Sequence, residues 1–442
     1  MHTLDQLRRG ELAGARRLDL SAGLTEFPAE IFDLADTLEI LNLSGNALSA
    51  LPAGLGRLRK LRVLFCSDNQ FTTVPEVVGE CPQLSMVGFK ANRIRTLPAA
   101  ALPPALRWLI LTDNQLEEVP AEIGKCRELQ KLMLAGNRLR RLPETLAQCT
   151  QLELLRIAAN ELEELPAWLL TMPRLSWLAY AGNPFCAPLE TAAHDSPSTV
   201  GIAWDELAVR ERLGEGASGV IYEARWQSGP AVEAPEKPVA VKLFKGALTS
   251  DGLPHCEMAA CEQAGSHPNL IAVKGRVEQH PAGARGLVLE LISPAFRVLA
   301  GPPSFATCTR DVYAPGTAFP LDAVLRIARG IAAAAEHLHR RGILHGDLYA
   351  HNILTTEQGD CLLGDFGAAC FFDPAATSAP ALQRLEVRAF GLLLEELLAH
   401  CTAPADDATV AALRRVQQQC VQPDVAARPA FQQIHQAVEA LA

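Results

Sequence analysis

Leu129-Gln-Lys-Leu-Met-Leu-Ala-Gly-Asn-Arg-Leu-Arg-Arg-Leu-Pro143 is the stretch that decides how the first half of this chain folds. Leu132 and Leu134 alternate with Lys131 and Met133, the pattern of a short strand with one buried side. Asn137 carries an amide that can bond turn backbone, and Leu139-Arg-Arg-Leu142 hands over to Pro143, which begins a return segment. Outward from this stretch the asparagine recurs. Asn46, Asn69, Asn92, Asn114, Asn137, Asn160 and Asn183 follow one another at steps of 23, 23, 22, 23, 23 and 23. One such unit cannot bury its own leucines, so the stack is the unit that folds.

A Leu-x-x-Leu-x-Leu frame at this period resembles the leucine-rich repeat, and an α/β horseshoe solenoid is expected over residues 15–186. A degenerate copy, Arg17-Leu-Asp-Leu20 to Phe27-Pro28, lacks the asparagine. Leu4, Leu7 and Leu12 before it have helical spacing and predict an N-terminal helical cap over 1–14. Alternation within the strands predicts that Phe65, Met86, Trp108, Ile110, Met133 and Trp177 lie on the concave face. Together they form an apolar patch of the kind that meets a protein partner, with docking of the chain's own second half as the alternative. Cys81, Cys126 and Cys149 each stand three residues before a repeat leucine and are read as small buried apolar residues. The array ends near Gly182-Asn-Pro-Phe-Cys186, and residues 187–201, rich in Ala, Ser, Thr and Pro, are expected to be a linker.

A chain of 442 residues exceeds one ordinary domain. A net charge of −10 argues against nucleic acid as a partner. The 12 cysteines form no Cys-x-x-Cys pair, which fits a reducing cytoplasm. The first residues lack the apolar core of a signal peptide, and no apolar run approaches membrane-spanning length, so no membrane span is expected.

The second half carries three motifs in order. Leu213-Gly-Glu-Gly-Ala-Ser-Gly-Val220 places glycines where backbone N–H groups can lie close over phosphates. No helical pattern follows it, so a strand–loop–strand roof formed by Leu213, Gly214, Gly216, Gly219 and Val220 is favoured over a dinucleotide turn. Val239-Ala-Val-Lys242 reads as a buried strand, with Ala240 against the nucleotide. Its lysine requires an anion, which phosphate oxygens would supply. A helix glutamate would hold the ammonium in place: Glu257 is favoured, and Glu262, nearer the helix end, is the alternative. Gly286-Leu-Val-Leu-Glu-Leu-Ile292 reads as a strand that sets Leu289 beside the adenine, with Glu290 to Ile292 as hinge. After a helical stretch over 321–341 comes His345-Gly-Asp-Leu-Tyr-Ala-His-Asn352, then Asp365-Phe-Gly367. Asp347 can orient the proton of an attacking hydroxyl, while Asn352 and Asp365 offer oxygens to Mg²⁺. The motifs together describe a site for moving a phosphoryl group from ATP.

Residues 202–442 resemble a eukaryotic-type protein kinase domain. Glu386-Val-Arg-Ala-Phe-Gly391 is similar to that family's core helix, and Ala427-Arg-Pro-Ala-Phe431 to its last helices. The whole chain resembles a soluble leucine-rich-repeat protein kinase of the bacterial type. The resemblance implies a two-lobed α+β domain, ATP and Mg²⁺ as cofactors, and Asp347, Lys242 and Glu257 as the catalytic set. The departures are specific. Gly346 stands where the family has arginine, and Tyr349 where it has the lysine that touches the transferred phosphate. The segment from Asp365 to Glu386 is short and holds no Ala-Pro-Glu, so Arg428 lacks its expected glutamate and much of the peptide-gripping platform is missing. His-Gly-Asp-Leu-x-x-x-Asn is also similar to the catalytic loop of aminoglycoside and choline kinases.

Three functions follow as expectations. The leading one is an ATP- and Mg-dependent kinase for Ser/Thr hydroxyls of a protein bound by the repeats, or of its own chain. The others are a nucleotide-binding scaffold with little turnover and a small-molecule hydroxyl kinase.

Overall fold

The structure is a computed structural model that describes residues 2–195, 199–216, 218–227, 236–246, 248–249 and 251–441. It divides into two compact units. One comprises Met1–Leu175 with Asn183–Phe185, the other Ser176–Gly182 with Cys186–Ala442.

The first unit opens on helix α1 (Leu4–Arg8), closed at its N-terminus by a capping box between Thr3 and Gln6. Three-residue strands follow: β1 (Arg17–Asp19), β2 (Ile40–Asn42), β3 (Val63–Phe65), β4 (Met86–Gly88), β5 (Trp108–Ile110), β6 (Lys131–Met133) and β7 (Leu154–Arg156). They pair in parallel without slippage, Ile40 against Val63, Val63 against Met86, Met86 against Trp108, Trp108 against Lys131 and Lys131 against Leu154. The central residue of every strand, from Leu18 to Leu155, is fully or nearly fully buried. The return segments are 3₁₀ turns rather than the α-helices of an α/β horseshoe, for example Glu76–Glu80, Ala121–Lys125 and Glu144–Gln148. Each of these starts after a proline, and each is too short to offset the cost of an α-helical nucleus.

The asparagines form a ladder inside the stack. Asn137 Oδ1 accepts from the Leu116 N–H at 2.9 Å, and its Nδ2 donates to the carbonyls of Leu111 and Leu134 at 2.9 Å each. An Asn137→Ala variant is therefore expected to lower stability by roughly 2–4 kcal/mol, because three buried backbone groups lose their partner. The shift in the thermal unfolding midpoint of the full chain checks this. Cys81, Cys126 and Cys149 are buried, and burial pushes their thiols up to about 11, about 11 and about 12. They behave as small apolar side chains. Among the described residues every cysteine is a free thiol.

The second unit begins with the strand of the last repeat, β8 (Trp177–Ala179). Residues 187–201, expected as a linker, hold helix α2 (Ala187–Asp195) and run into the first residue of strand β9 (Gly201–Ala203). No residue of α2 is buried, so its apolar face supplied no periodic signal. A six-stranded sheet follows, built from β9, β10 (Leu207–Glu215), β11 (Gly219–Trp226), β12 (Lys237–Phe244), β13 (Val273–Glu278) and β14 (Gly286–Glu290). The strand order is β10-β11-β12-β14-β13-β9. Its core joins Ile202, Leu207, Ala224, Val239, Val241, Val277 and Val288. Helix α3 (Pro254–Ala264) lies between β12 and β13 in sequence.

Short strands and four helices complete the unit. They are β15 (Arg297–Val298), α4 (Leu321–Arg340), β16 (Ile343–Leu344), β17 (Ile353–Thr355), β18 (Cys361–Leu363), β19 (Cys370–Phe371), α5 (Ala379–Ala399), α6 (Ala408–Cys420) and α7 (Phe431–Glu439). β16 pairs with β19, and β17 with both β15 and β18. The buried stripe of α4, running from Ala323 to His339, faces this interior. Among the described residues no helix is long and apolar enough to cross a membrane.

Candidate active site

Lys242 is set by sheet register. It stands opposite Ile221 of β11 on one side and Leu287 of β14 on the other. Its ammonium forms an ion pair with Glu257, in the first turn of α3 after Pro254. The glutamate side chain is 2% exposed and the lysine 14%. Burial opposes the charge on Lys242, but the carboxylates of Glu257 and Asp365 outweigh it and hold the ammonium above its usual value. Burial pushes the Glu257 carboxyl above its usual range, with Lys242 opposing. Both charges are largely withdrawn from water, Glu257 almost wholly, so loss of either partner is costly. Glu262, the alternative partner for the lysine, pairs with Arg276 instead and accepts from Thr199 Oγ1.

A cavity of about 210 Å³ opens beside this pair. Gly216, Ser218, Gly219 and Ile221 line it from the β10–β11 hairpin, Leu287 and Leu289 from β14, and Asp365, Phe366 and Gly367 from the segment after β18. Gly216 N–H donates to the Gly219 carbonyl at 2.9 Å, which closes the hairpin. A Cβ at Gly219 would stand 2.5 Å from the Leu243 carbonyl, so only glycine lets β11 start there. Leu213, Gly214, Val220, Ala240, Glu290 and Ile292 do not line this cavity. Leu213 is 49% exposed, Ala240 is buried within β12, and Glu290 pairs with Lys274 at 3.1 Å. Thr249, Asp251, Cys261, Leu270 and Val273 do line it. Nothing in the motif spacing singled these out, because each reaches the cavity through tertiary packing.

The loop after β16 holds the second half of the site. His345 is fully buried and its Nε2 bonds the Gly364 carbonyl at 2.9 Å. Asn352 Nδ2 donates to the Asp347 carbonyl at 2.9 Å and to its Oδ2 at 2.8 Å. That bond orients the carboxylate and turns the amide oxygen of Asn352 away from it. Asp365 adopts a left-handed φ of +55°, a conformation that costs a non-glycine residue of order 1 kcal/mol. The Gly367 N–H steadies it by donating to Asp365 Oδ1 at 3.1 Å. Beneath the loop, Glu386 of α5 accepts from the Gly346 N–H at 2.6 Å and bonds His339 Nε2 at 2.7 Å.

The sequence departures have physical causes here. Gly346 has φ +72°, and a Cβ on it would stand 2.4 Å from the Ala368 carbonyl and 2.8 Å from that of Leu178, so no arginine fits. The Tyr349 ring stacks on Trp177 at 4.1 Å. Arg428 is buried and donates to the carbonyls of Gln422 and Arg384. Burial and the neighbouring Arg388 push it down to about 10. Trp177 and Met86, expected on a partner-binding face, are 2% and 3% exposed, so neither offers surface to a partner.

A divalent cation would have few protein ligands. Among the described residues no three His, Cys, Asp or Glu side chains gather around one point. Asp365 and the Asn352 oxygen, with phosphate and water, match what magnesium accepts. A lysine ammonium and an acidic oxygen facing one glycine-roofed cavity are also the donor set a nucleotide triphosphate requires.

His351, between Asp347 and Asn352, bonds Asp311 through Nδ1 at 2.7 Å, and its N–H donates to the same carboxylate at 2.9 Å. Burial lowers its proton affinity, but Asp311, Asp347 and Asp365 more than reverse this and hold the imidazole above its usual value. A raised histidine contributes stability that is complete below its unfolded pKa and is lost as pH rises through the folded one. Asp311→Asn is therefore expected to destabilise the chain by roughly 1–2 kcal/mol near pH 6, with a smaller penalty above pH 8. Thermal midpoints of both proteins across that range check the sign.

Comparison with known proteins agrees with the geometry. Residues 207–388 match the protein tyrosine and serine/threonine kinase family, and residues 37–58 and 104–162 match leucine-rich repeats. The chain is similar to fibroblast growth factor receptor 1 of Xenopus laevis, 26% identical over 200 residues, which is 43% of this chain and 24% of the receptor. It is similar to the probable serine/threonine-protein kinase gdt2 of Dictyostelium discoideum, 27% identical over 35% of this chain and 8% of that protein. It is also similar to CBL-interacting protein kinase 22 of Oryza sativa subsp. japonica, 28% identical over 40% of this chain and 41% of that protein. The matches span less than half the length of each of these relatives.

Proposed function

We propose, from the premise that this chain joins leucine-rich repeats to a protein kinase domain, that it transfers the γ-phosphate of ATP to Ser or Thr hydroxyls. The acceptor belongs to a protein recruited by the repeats or to the chain itself. The observation that carries the reading is the closed Lys242–Glu257 pair beside Asp365 in one cavity, with Asp347 held by Asn352. Lys242 positions the phosphates, and Asp365 and Asn352 would hold magnesium, which would neutralise charge on the transferring group. Asp347 orients the acceptor hydroxyl and takes its proton as the new P–O bond forms and ADP leaves. A relative named as a probable serine/threonine-protein kinase supports the acceptor type. The half-buried Phe65, Trp108, Ile110 and Met133 on β3, β5 and β6 are the residues assigned to recruitment. Buried free thiols fit a reducing compartment such as the cytoplasm.

Full-length protein incubated with magnesium and γ-labelled ATP tests the reading. Label recovered as phosphoserine or phosphothreonine, with matching ADP, is the expected result. A thermal shift with ATP but neither ADP nor label would replace it with the nucleotide-binding scaffold. That second reading draws on Tyr349, which leaves position 349 without a cation for the transferred phosphate.

A further inference from the structure

The two departures nearest Asp347, Gly346 and Tyr349, meet the same neighbour: the strand β8 segment, residues 176–182. This segment carries the pattern of the last repeat yet belongs to the second unit. Trp177 lies flat on Tyr349, with ring centroids 4.1 Å apart and an interplanar angle of 6°. Its Nε1–H donates to the Leu348 carbonyl at 3.0 Å, the residue directly after Asp347. The Arg310 guanidinium sits over the Trp177 ring, 5.7 Å from its centroid. The Leu178 carbonyl occupies the space a side chain at 346 would need. Tyr180 reaches the segment after Asp365-Phe-Gly367: its N–H donates to Cys370 Sγ at 3.0 Å and its hydroxyl to the Phe371 carbonyl at 3.1 Å. Arg388 of α5 donates to Ser176 Oγ at 2.9 Å. Trp177, Tyr180 and Tyr349 are each at most 4% exposed, so these contacts are desolvated and hold their geometry.

We infer that Trp177 and Tyr180 are positioning residues for phosphoryl transfer. They clamp the catalytic loop at Leu348–Tyr349 and the segment at Cys370–Phe371, so that Asp347 and Asp365 keep a fixed separation. The segment between Asp365 and α5 is too short to wrap the loop by itself, and this strand supplies the support from elsewhere in the chain. Burial pushes the Tyr180 hydroxyl well above its ordinary value, so it remains a donor at every working pH. The assignment rests on the kinase reading above. It makes a distinct claim: the strand of the last repeat is part of the catalytic apparatus.

The test uses full-length wild type, Trp177→Ala, Trp177→Phe and Tyr180→Phe, with steady-state transfer kinetics and amide hydrogen exchange on each. Trp177→Ala is expected to lower kcat about 10- to 100-fold with KM for ATP changed less than about twofold. Trp177→Phe, which keeps a stacking ring, is expected to recover to within about threefold of wild type. Tyr180→Phe removes one hydroxyl and is expected to lower kcat about threefold. Exchange in residues 343–352 should rise at least about tenfold in Trp177→Ala while β12 stays protected. A Trp177→Ala protein whose kcat and loop exchange both match wild type overturns the inference. Should that variant fail to fold, unchanged kcat and loop exchange in both Trp177→Phe and Tyr180→Phe overturn it instead. A wild type that transfers no phosphate would sink the kinase reading, and the exchange contrast at 343–352 would still decide the clamp.

Discussion

Asp347→Asn is expected to lower phosphoryl transfer by about 10³-fold or more and to leave ATP binding within about twofold. Asp347 is not among the residues lining the cavity, so on the proposed reading the variant is expected to keep its affinity for ATP. Asn352 Nδ2 donates to the Asp347 Oδ2 at 2.8 Å and helps to aim the carboxylate. An amide at 347 would keep the volume, but it has no basic oxygen for the acceptor proton, and in one of its two orientations it sets two N–H groups against each other. Lys242→Met is the contrasting case. Lys242 lines the cavity and pairs with the buried Glu257, so its loss weakens binding and transfer together. Isothermal titration with ATP·Mg, run beside single-turnover transfer, separates the two patterns. An Asp347→Asn protein with full activity would remove Asp347 from the mechanism.

Glu386→Ala carries the largest expected effect on stability, a loss of about 3–5 kcal/mol. Glu386 is 3% exposed and its two carboxylate oxygens are both used, one by the Gly346 N–H and one by His339. Truncation strands a buried backbone donor and a buried imidazole at once. Burial works against the Glu386 carboxylate, yet His339, His345 and the Gly346 amide outweigh it and hold it below the usual glutamate range. A depressed carboxylate contributes stability that is present above its unfolded pKa and is lost as pH falls through the folded one. Wild type should therefore lose stability on the acid side of about pH 4.5, and Glu386→Ala should show a flatter acid limb. Thermal midpoints from pH 3.5 to 7 read both effects. Equal midpoints for the two proteins at pH 7 would mean that α5 does not support the catalytic loop through this residue.

Much of the fold was legible because its signals are local. The asparagine steps and the leucine frame place each repeat strand from its own unit. The return segments escaped, since their 3₁₀ character follows from how little chain remains after each proline. Helix α2 escaped because no residue in it is buried and so no periodic stripe was written into it. Within the site, motif spacing brought out Lys242, Asp347, Asn352 and Asp365 as residue types suited to one chemistry. It left Glu257 and Glu262 as alternatives, because two glutamates on one helix differ only in what packs against each. Trp177 and Met86 were expected on a surface from strand alternation, and both are buried. Alternation tells which side of a strand a residue takes, not what covers that side.

By itself, then, the sequence determined the repeat array, the two-part organisation and the chemical kind of site, since all three follow from spacing over a few tens of residues. Only the tertiary structure decided that Glu257 holds Lys242, that Gly346 can be nothing but glycine, and that the strand of the last repeat lies against the catalytic loop. Those outcomes depend on pairs such as Trp177 with Leu348, Tyr180 with Phe371 and Ser176 with Arg388, which are 171, 191 and 212 positions apart. No local pattern encodes such a pairing; it exists only once the chain has folded and excluded water from between the partners.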